Sequence, residues 1–212
     1  GKTFLLFGTG SYYFQTDPGD QSVQSWYGVI DDGTVISGRA ALKARTINLV
    51  GTVSGKSVRT FSSSAPNDMA GKKGWYIDLK DPNPRGERIV TQSQLIFASQ
   101  PALLVSSIIP TTSDPCMPEG KGFINAVNAF TGAALTDYFF DISGDGNFNT
   151  SDLISGQHIG SFDPGVGMPG EGVIVGDEII VGGSSGGGLG KTKVNIGPKK
   201  TGRISWREIR LK

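Results

Sequence analysis

The sequence predicts an all-β protein built from antiparallel sheets, and three observations support this. Segments of 5 to 12 residues rich in β-branched and aromatic side chains recur along the whole chain. The 32 glycines and 11 prolines lie between these segments without a regular period, as expected of turns. Convincing helical periodicity is missing. Only residues 38–47 contain good helix formers, and we do not predict a helix there.

Strand candidates follow one another along the chain, each bounded by Gly, Pro, Asp or Asn. They are residues 2–8, 24–30, 45–53, 57–62, 74–79, 88–99, 102–109, 122–129, 172–176, 178–183 and 203–211. Tight turns predicted at 31–33, 128–132 and 175–179 connect neighbours as antiparallel hairpins.

Strands joined in this way form either an antiparallel sandwich or a set of propeller blades. A four-stranded blade takes about 40 to 50 residues, so three or four blades fit in this chain. Most closed propellers need more blades, and the chain starts without Met in the middle of an apparent strand. We therefore expect a fragment of a larger β-propeller protein.

Charge and cysteine content argue against several classes of function. The formal net charge of +1 does not favour a general electrostatic interaction with nucleic acid or anionic membrane. Basic residues accumulate from Lys191 onward, which indicates a solvated basic strand or a contact with an acidic partner. No apolar run approaches the roughly 18 residues of a membrane-spanning helix. Cys116 is the single cysteine, so no disulfide closes within the chain.

Oxygen-bearing side chains occupy nearly every other position of residues 141–152. Numbered from the first aspartate, positions 1, 3, 5, 7, 9 and 12 are Asp141, Ser143, Asp145, Asn147, Asn149 and Asp152. This is the ligand spacing of an EF-hand calcium loop, and Gly146 at position 6 permits its sharp bend. Because Ca²⁺ takes about six to eight oxygen ligands, the chain must wrap around the ion. We expect one structural Ca²⁺ as the cofactor of this loop.

Two features distinguish this loop from an EF-hand. Position 12 is Asp152 and not Glu, so the closing carboxylate stands on a shorter side chain. Residues 135–140 have strand character, and Gly156 ends any following helix within about a turn. The sequence therefore predicts an EF-hand-like loop inserted into a β scaffold, similar to dockerin-like and other extracellular modules. Such modules bind calcium with a Kd on the order of 10⁻⁴ to 10⁻³ M.

Two catalytic motifs match only in part, so we predict no enzyme. Residues 185–192 resemble a phosphate-binding P-loop, but Ser185 replaces its first glycine and Gly197 prevents the helix that must follow. Residues 182–186 match the G-x-S-x-G nucleophile elbow, but the only histidine, His158, precedes this motif where that fold places its histidine last. Aromatic residues that could form a sugar-binding platform are interpreted as core packing; they are Trp26, Trp75, Trp206, Tyr12, Tyr13 and Tyr27.

An ordered set of motifs runs through nearly the whole chain. It comprises LFGTGSYY (6–13), QSWYGVIDDG (24–33), KGWYIDL (73–79), GERIVTQ (86–92), SSIIPTTSDPC (106–116), GFINAVNAFTG (122–132), the aspartate loop and GRISWREIR (202–210). This set resembles the C-terminal β-propeller region of the PilY/PilC family of type IV pilus tip adhesins and pilus-biogenesis proteins. The resemblance implies that residues 1–212 are the C-terminal portion of a β-propeller domain. The YAGD...GN.W blade motif of that family is missing, as is a cysteine partner for Cys116.

The resemblance also implies a function and a location. Members of the family are exported, associate with pilus tips and the outer membrane, promote pilus assembly, oppose retraction and mediate adhesion. The expected partners are the remainder of the parent chain, minor pilins or the pilus tip, and a host or abiotic surface. Our leading hypothesis is a non-enzymatic, calcium-binding extracellular module. The alternative is a fragment of a quinoprotein-like propeller dehydrogenase, to which the turn at 128–132 also points.

Overall fold

A computed structural model describes residues 3–111 and 120–197, and this part of the chain is built almost entirely of strands. They are β1 (Thr3–Gly8), β2 (Ser25–Asp31), β3 (Lys43–Arg45), β4 (Ile47–Val53), β5 (Lys56–Phe61), β6 (Gly74–Asp78), β7 (Gln94–Phe97), β8 (Pro101–Pro110), β9 (Gly120–Asn128), β10 (Leu153–Ile154), β11 (Gln157–His158), β12 (Ser161–Phe162), β13 (Val173–Val175), β14 (Glu178–Val181) and β15 (Gly190–Lys193). Single 3₁₀ turns form at Asp17–Gly19, Arg39–Ala41 and Thr150–Asp152. The predicted all-β class is confirmed.

Three sheets organise these strands. Sheet I has the order β1-β2-β6-β3 and is antiparallel except for the parallel pair β3–β6. Sheet II has the order β4-β5-β12-β9-β8-β7 and is antiparallel throughout. Sheet III consists of β13-β14-β15, and β10 and β11 form a separate hairpin. Within the described residues these sheets do not close into a barrel or a propeller, so the propeller and its domain bounds stay predictions.

Sheet II lies at the centre of the fold. Its apolar side chains pack against sheet I on one face and against sheet III on the other. Leu103 of β8 joins a core cluster with Trp26 and Trp75 of sheet I. The next residue, Leu104, belongs to a second cluster that includes Ile179 of sheet III. This alternation explains why residues 102–109 are buried on both faces of the sheet and are apolar except for Ser106 and Ser107.

The predicted turns have mixed outcomes. Residues 175–179 form the expected hairpin between β13 and β14. The chain also reverses at 128–132, where the Asn128 side chain accepts hydrogen bonds from two backbone amides of the turn. The hairpin predicted at 31–33 is wrong, because β2 pairs with β1 and β6 and the chain continues to the far edge of sheet I. The predicted strand at 203–211 and Cys116 lie outside the described residues.

Candidate metal centre

The candidate calcium loop starts on the edge of sheet III. Phe140 forms an isolated antiparallel bridge with Val194, and the Asp141 amide donates to the Lys193 carbonyl over 3.0 Å. At its other end the loop passes through the 3₁₀ turn Thr150–Asp152 directly into β10. Extended backbone and a single 3₁₀ turn therefore flank the loop where an EF-hand has helices.

Asp141, at position 1, organises the first half of the loop. Its side chain is only 3% exposed. One carboxylate oxygen accepts hydrogen bonds from the Gly144 amide (2.7 Å) and the Ser143 hydroxyl (3.2 Å), and the other accepts from the Gly146 amide (2.9 Å). Gly146 has a φ of 83°, a conformation that glycine adopts without steric cost. The chain thus bends around the first aspartate, as the sequence predicts.

Asp152, at position 12, closes the loop from the other side. It is 2% exposed, and its two carboxylate oxygens accept from the Ser143 amide (2.9 Å) and the Asn149 amide (3.1 Å). The Asn149 side chain accepts from the Ser151 amide over 2.8 Å, which completes a reciprocal cap at the start of the 3₁₀ turn. Because Asp141 and Asp152 both contact Ser143, the two buried carboxylates are near neighbours.

Asp145, at position 5, lies on the exposed side of the loop. Its carboxylate accepts from the Asn149 side-chain amide (2.9 Å) and the Asn147 backbone amide (2.8 Å). These two hydrogen bonds, from Asn149 and then Asn147, hold the pKa of Asp145 below its usual value. The Asn147 side-chain amide donates to the Asp145 carbonyl (3.3 Å), and the backbone carbonyl of Asn147 is the group that position 7 supplies in an EF-hand loop.

Among the described residues, no basic side chain forms a salt bridge with the two buried aspartates. No salt bridge within residues 3–111 and 120–197 includes Asp141 or Asp152. The nearest recorded cationic contact to the loop is Lys193, whose Nζ donates to the Gly146 carbonyl over 3.4 Å. Within the described part of the chain, the donors recorded to these two almost inaccessible carboxylates are all neutral.

The oxygen groups of the loop are of the kinds that bind a hard cation. Carboxylate, hydroxyl, side-chain amide and backbone carbonyl oxygens are the groups that Ca²⁺ prefers. In the described part of the chain, no three His, Cys, Asp or Glu side chains are grouped so as to hold a metal ion. A site at this loop therefore depends on serine, asparagine and backbone oxygens in addition to the aspartates.

Most of the other candidate residues make packing contacts or hydrogen bonds typical of a folded core, as described next. Trp26 and Trp75 are fully buried and pack edge to face at 5.6 Å, which confirms that they are core residues. The same interpretation is wrong for Tyr13, which is 91% exposed. The Ser184 hydroxyl accepts from the Met168 amide (3.0 Å). His158 packs against Tyr138 at 4.6 Å, and no hydrogen bond in the described structure connects it to Ser184.

A buried charge network in sheet II was missed by sequence reasoning. The Arg59 guanidinium is fully buried and donates to both carboxylate oxygens of Glu87 (2.7 and 2.8 Å), to Asn125 (2.9 Å) and to Ser161 (3.1 Å). It also pairs with Asp81 at 3.3 Å. Burial favours protonation of Glu87, but the charge and hydrogen bonds of Arg59 outweigh it and lower the pKa of Glu87. Because the members of this network lie far apart along the chain, no short stretch of sequence indicates that they contact one another.

Comparisons with known proteins identify related sequences and folds. No protein-family model matches the chain. The "Type IV pilus biogenesis factor PilY1 homolog" of Xylella fastidiosa (strain Temecula1 / ATCC 700964) is 36% identical over 214 residues, which cover 99% of this chain. The predicted resemblance to the PilY/PilC family is confirmed. This chain spans 17% of the length of that PilY1 homologue.

A solved PilY1 structure confirms the fold. The crystal structure of the Pseudomonas aeruginosa PilY1 C-terminal domain matches 92% of this chain with a TM-score of 0.72 and 22% sequence identity. The match uses 42% of that PilY1 chain, so the solved domain contains considerably more polypeptide than the part shared here. Among the residues described in this chain, no helix is long and apolar enough to span a membrane.

Proposed function

We propose that this chain is a non-enzymatic, calcium-stabilised module of a type IV pilus-associated protein that acts in pilus biogenesis, retraction control and surface adhesion. The observation that carries the proposal is the 36% identity, over 99% of this chain, to a protein named as a type IV pilus biogenesis factor. That relationship supports an extracellular or cell-surface location at the pilus tip or outer membrane. It also supports minor pilins and a host or abiotic surface as partners.

The calcium part of the proposal is supported by the two unpaired buried aspartates. A buried carboxylate without a counter-charge is costly, and the chain pairs its other fully buried acids, Asp81 and Glu87, with Arg59. Asp141 and Asp152 have no such partner among the described residues. A divalent cation held by the loop supplies the missing positive charge.

Each residue of the loop has a distinct part in holding the ion. Asp141 and Asp152 provide buried carboxylates from the two ends of the loop, and Asp145, which lies on the exposed side and is not grouped with them, turns inward as a third ligand when the ion binds. Ser143 and Asn149 already contact these carboxylates and add neutral oxygens. Asn147 offers its backbone carbonyl. Bound Ca²⁺ contributes charge neutralisation and cross-linking, which order the loop and the edge of sheet III next to it.

The face-to-face arrangement of the sheets supports the propeller proposal. Sheets I, II and III are layered with apolar cores between successive members, which is also how propeller blades pack around an axis. We propose that each of these sheets is a blade and that the remainder of the parent chain completes the propeller. The described residues provide no specific support for the dehydrogenase alternative.

A cellular experiment tests the role of the loop. The substitutions Asp141→Asn and Asp152→Asn, introduced together into the parent gene, should reduce surface piliation and twitching motility in calcium-containing medium. Asp163→Asn is the matched control, because Asp163 also caps a backbone amide, that of Gly165, in a turn outside the loop. Normal piliation and motility in the double variant, with normal protein levels, would contradict the proposed function.

A further inference from the structure

Two neighbouring aromatic side chains in the loop between β1 and β2 are exposed to solvent. Tyr13 is 91% exposed and Phe14 is 71% exposed. Exposed rings give up the free energy that burial would provide, and clusters of them commonly mark a binding surface. Tyr13 is also one of the aromatic residues that could form a sugar-binding platform, and the fold gives it no place in the core.

The loop that carries these rings is held in one conformation by buried and local hydrogen bonds. Arg88 is 2% exposed, and its guanidinium donates to the backbone carbonyls of Ser11 (2.9 Å) and Asp17 (2.8 Å). The Asp17 carboxylate accepts from the Ser11 hydroxyl (2.7 Å) and from the backbone amides of Tyr13 (2.7 Å) and Phe14 (3.0 Å). The backbone at the exposed rings is therefore already ordered before any ligand binds.

A crevice opens beside Tyr13, between the edge strand β1 and residues 89–93, which precede β7. Its volume is about 510 Å³, within the range of about 300 to 1,000 Å³ that is usual for small-molecule sites. In addition to apolar groups, its lining contains aromatic and neutral polar side chains, namely Phe7, Tyr13, Thr91, Gln92 and Ser93.

The polar side chains of the crevice keep hydrogen-bonding capacity for a ligand. The Ser93 hydroxyl accepts from the Trp26 indole N–H (3.2 Å), so its own proton can be donated. The Thr91 hydroxyl donates to the Ser106 carbonyl (3.2 Å), so its oxygen can accept. The exposed Gln92 amide offers both a donor and an acceptor. The crevice thus presents donors and acceptors next to an aromatic ring.

The lining of the crevice discriminates between classes of ligand. Among the residues that the structure describes, none that lines it is charged, so a charged ligand would lose hydration without gaining a counter-charge. A purely apolar ligand would cover the polar groups and leave them unpaired. A sugar ring satisfies both parts of the lining, because its C–H face can stack on an aromatic ring and its hydroxyls both donate and accept hydrogen bonds.

We propose that this crevice binds a neutral carbohydrate, with a sugar ring stacked on Tyr13 and its hydroxyls bonded to Thr91, Gln92 and Ser93. The inference rests on the proposed function, because it assigns a ligand class to the surface adhesion of the parent protein. Since the loop is already ordered, little conformational entropy is lost when the sugar binds. The candidate calcium loop, at the edge of sheet III, does not line this crevice.

A glycan array probed with the purified full-length parent polypeptide tests the proposal. The array contains neutral oligosaccharides and matched sialylated and sulfated ones, and the neutral oligosaccharide with the strongest signal is then titrated calorimetrically. Tyr13→Ala should weaken its binding at least about tenfold, whereas Tyr13→Phe retains the ring and should stay within about threefold of the wild type. Phe14→Ala is the matched control, because Phe14 is an exposed ring of the same loop that does not line the crevice.

Gln92→Met tests the hydrogen-bonding part of the site. Methionine keeps the approximate size of the side chain and removes its donor and acceptor, so binding of the same oligosaccharide should weaken about three- to tenfold. Gln15→Met is the control, because Gln15 is also exposed and lies outside the lining of the crevice. All of these substitutions leave the backbone amide contacts of Asp17 in place.

Several results would overturn the proposal. They are an array without any bound neutral oligosaccharide, binding of sialylated or sulfated glycans alone, and equal affinities of the wild type and Tyr13→Ala. A piliation defect in Tyr13→Ala, when the wild type binds no sugar, indicates a contact with another protein and also overturns it. Sugar binding is measured without pili, so its failure leaves the proposed pilus function intact, and normal motility of the calcium-loop variant leaves the sugar result interpretable.

Discussion

Single residues show two different ways in which this protein keeps acids buried. Glu87 is neutralised by a bidentate contact with Arg59, whereas Asp141 and Asp152 are stabilised by backbone amides and the Ser143 hydroxyl. The first arrangement is complete without an ion. We propose that the second leaves negative charge for a cation to neutralise, and that this difference distinguishes a structural network from a binding site.

The contact between Lys193 and the loop predicts that this lysine weakens calcium binding. Its ammonium lies against the Gly146 carbonyl at 3.4 Å, beside the carboxylates that the ion must approach. Because like charges repel, Lys193→Gln should tighten calcium binding by about three- to tenfold at low salt, and less at high salt. Isothermal titration of the wild type and the variant measures this.

Lys191→Gln is the matched control for the lysine experiment. Lys191 lies on the same strand and the same face as Lys193, two residues farther from the end at which the loop joins. Removal of its charge should change the calcium Kd much less. Unchanged or weaker binding by Lys193→Gln, with Lys191→Gln behaving alike, would show that the ammonium does not compete with the ion.

The bend of the loop was predictable at the level of residues because its signal is local, whereas calcium binding stays a prediction. Alternating oxygen side chains and a glycine at position 6 lie within twelve consecutive residues, and hydrogen bonds connect Ser143 with Asp141 and Asp152, and Asn149 with Asp145 and Asp152. The Arg59 network was not predictable, since the residues that Arg59 contacts lie 22 to 102 positions away along the chain.

At the level of elements, the Arg59 network pairs the polar groups that are buried inside sheet II. Arg59, Ser161 and Asn125 lie side by side on three neighbouring strands. Their polar groups are bonded to one another and to Glu87. The network lets the short strand β12 occupy the centre of the sheet without leaving buried polar groups unpaired.

Glu87→Gln tests the contribution of this network to stability. Removal of one member of a buried ion pair typically costs about 3 to 5 kcal/mol, because the partner charge stays buried. Urea unfolding should show a loss of this order, and Arg59→Met combined with Glu87→Leu should recover part of it. Asp32→Asn is the control, because its solvent-accessible pair with Lys73 should change the stability much less.

The lowered pKa of Glu87 also predicts a pH dependence. Since the folded state binds the proton less tightly than the unfolded state, the stabilisation is present above the ordinary carboxyl pKa. It is lost as the pH falls through the lower folded pKa. As the pH is lowered, the free energy of unfolding should therefore decrease less steeply in Glu87→Gln than in the wild type. A variant with wild-type stability and an unchanged acid transition would contradict a structural role for the pair.

Strand positions were more predictable than strand order. Alternation and turn residues indicate most strands, and the β13–β14 hairpin follows from its local turn. The parallel pairing of β3 with β6, and the insertion of β12 between β5 and β9, depend on residues far apart in sequence. Such pairings are selected by packing between sheets, which no short window of sequence contains.

For the whole molecule, the layered sheets position the candidate metal loop at one side of the stack. The loop is attached to the edge of sheet III, on one side of the central sheet II, and sheet I lies on the other side. We therefore expect calcium in the loop to stabilise one outer layer of the stack.

Isothermal calcium titration of the full-length parent polypeptide tests the central claim most directly. The wild type and the Asp163→Asn control should bind the same number of calcium ions, and Asp141→Asn should bind one fewer per chain, because one of the two unpaired buried carboxylates is lost. Equal stoichiometry and affinity in all three proteins would contradict the account.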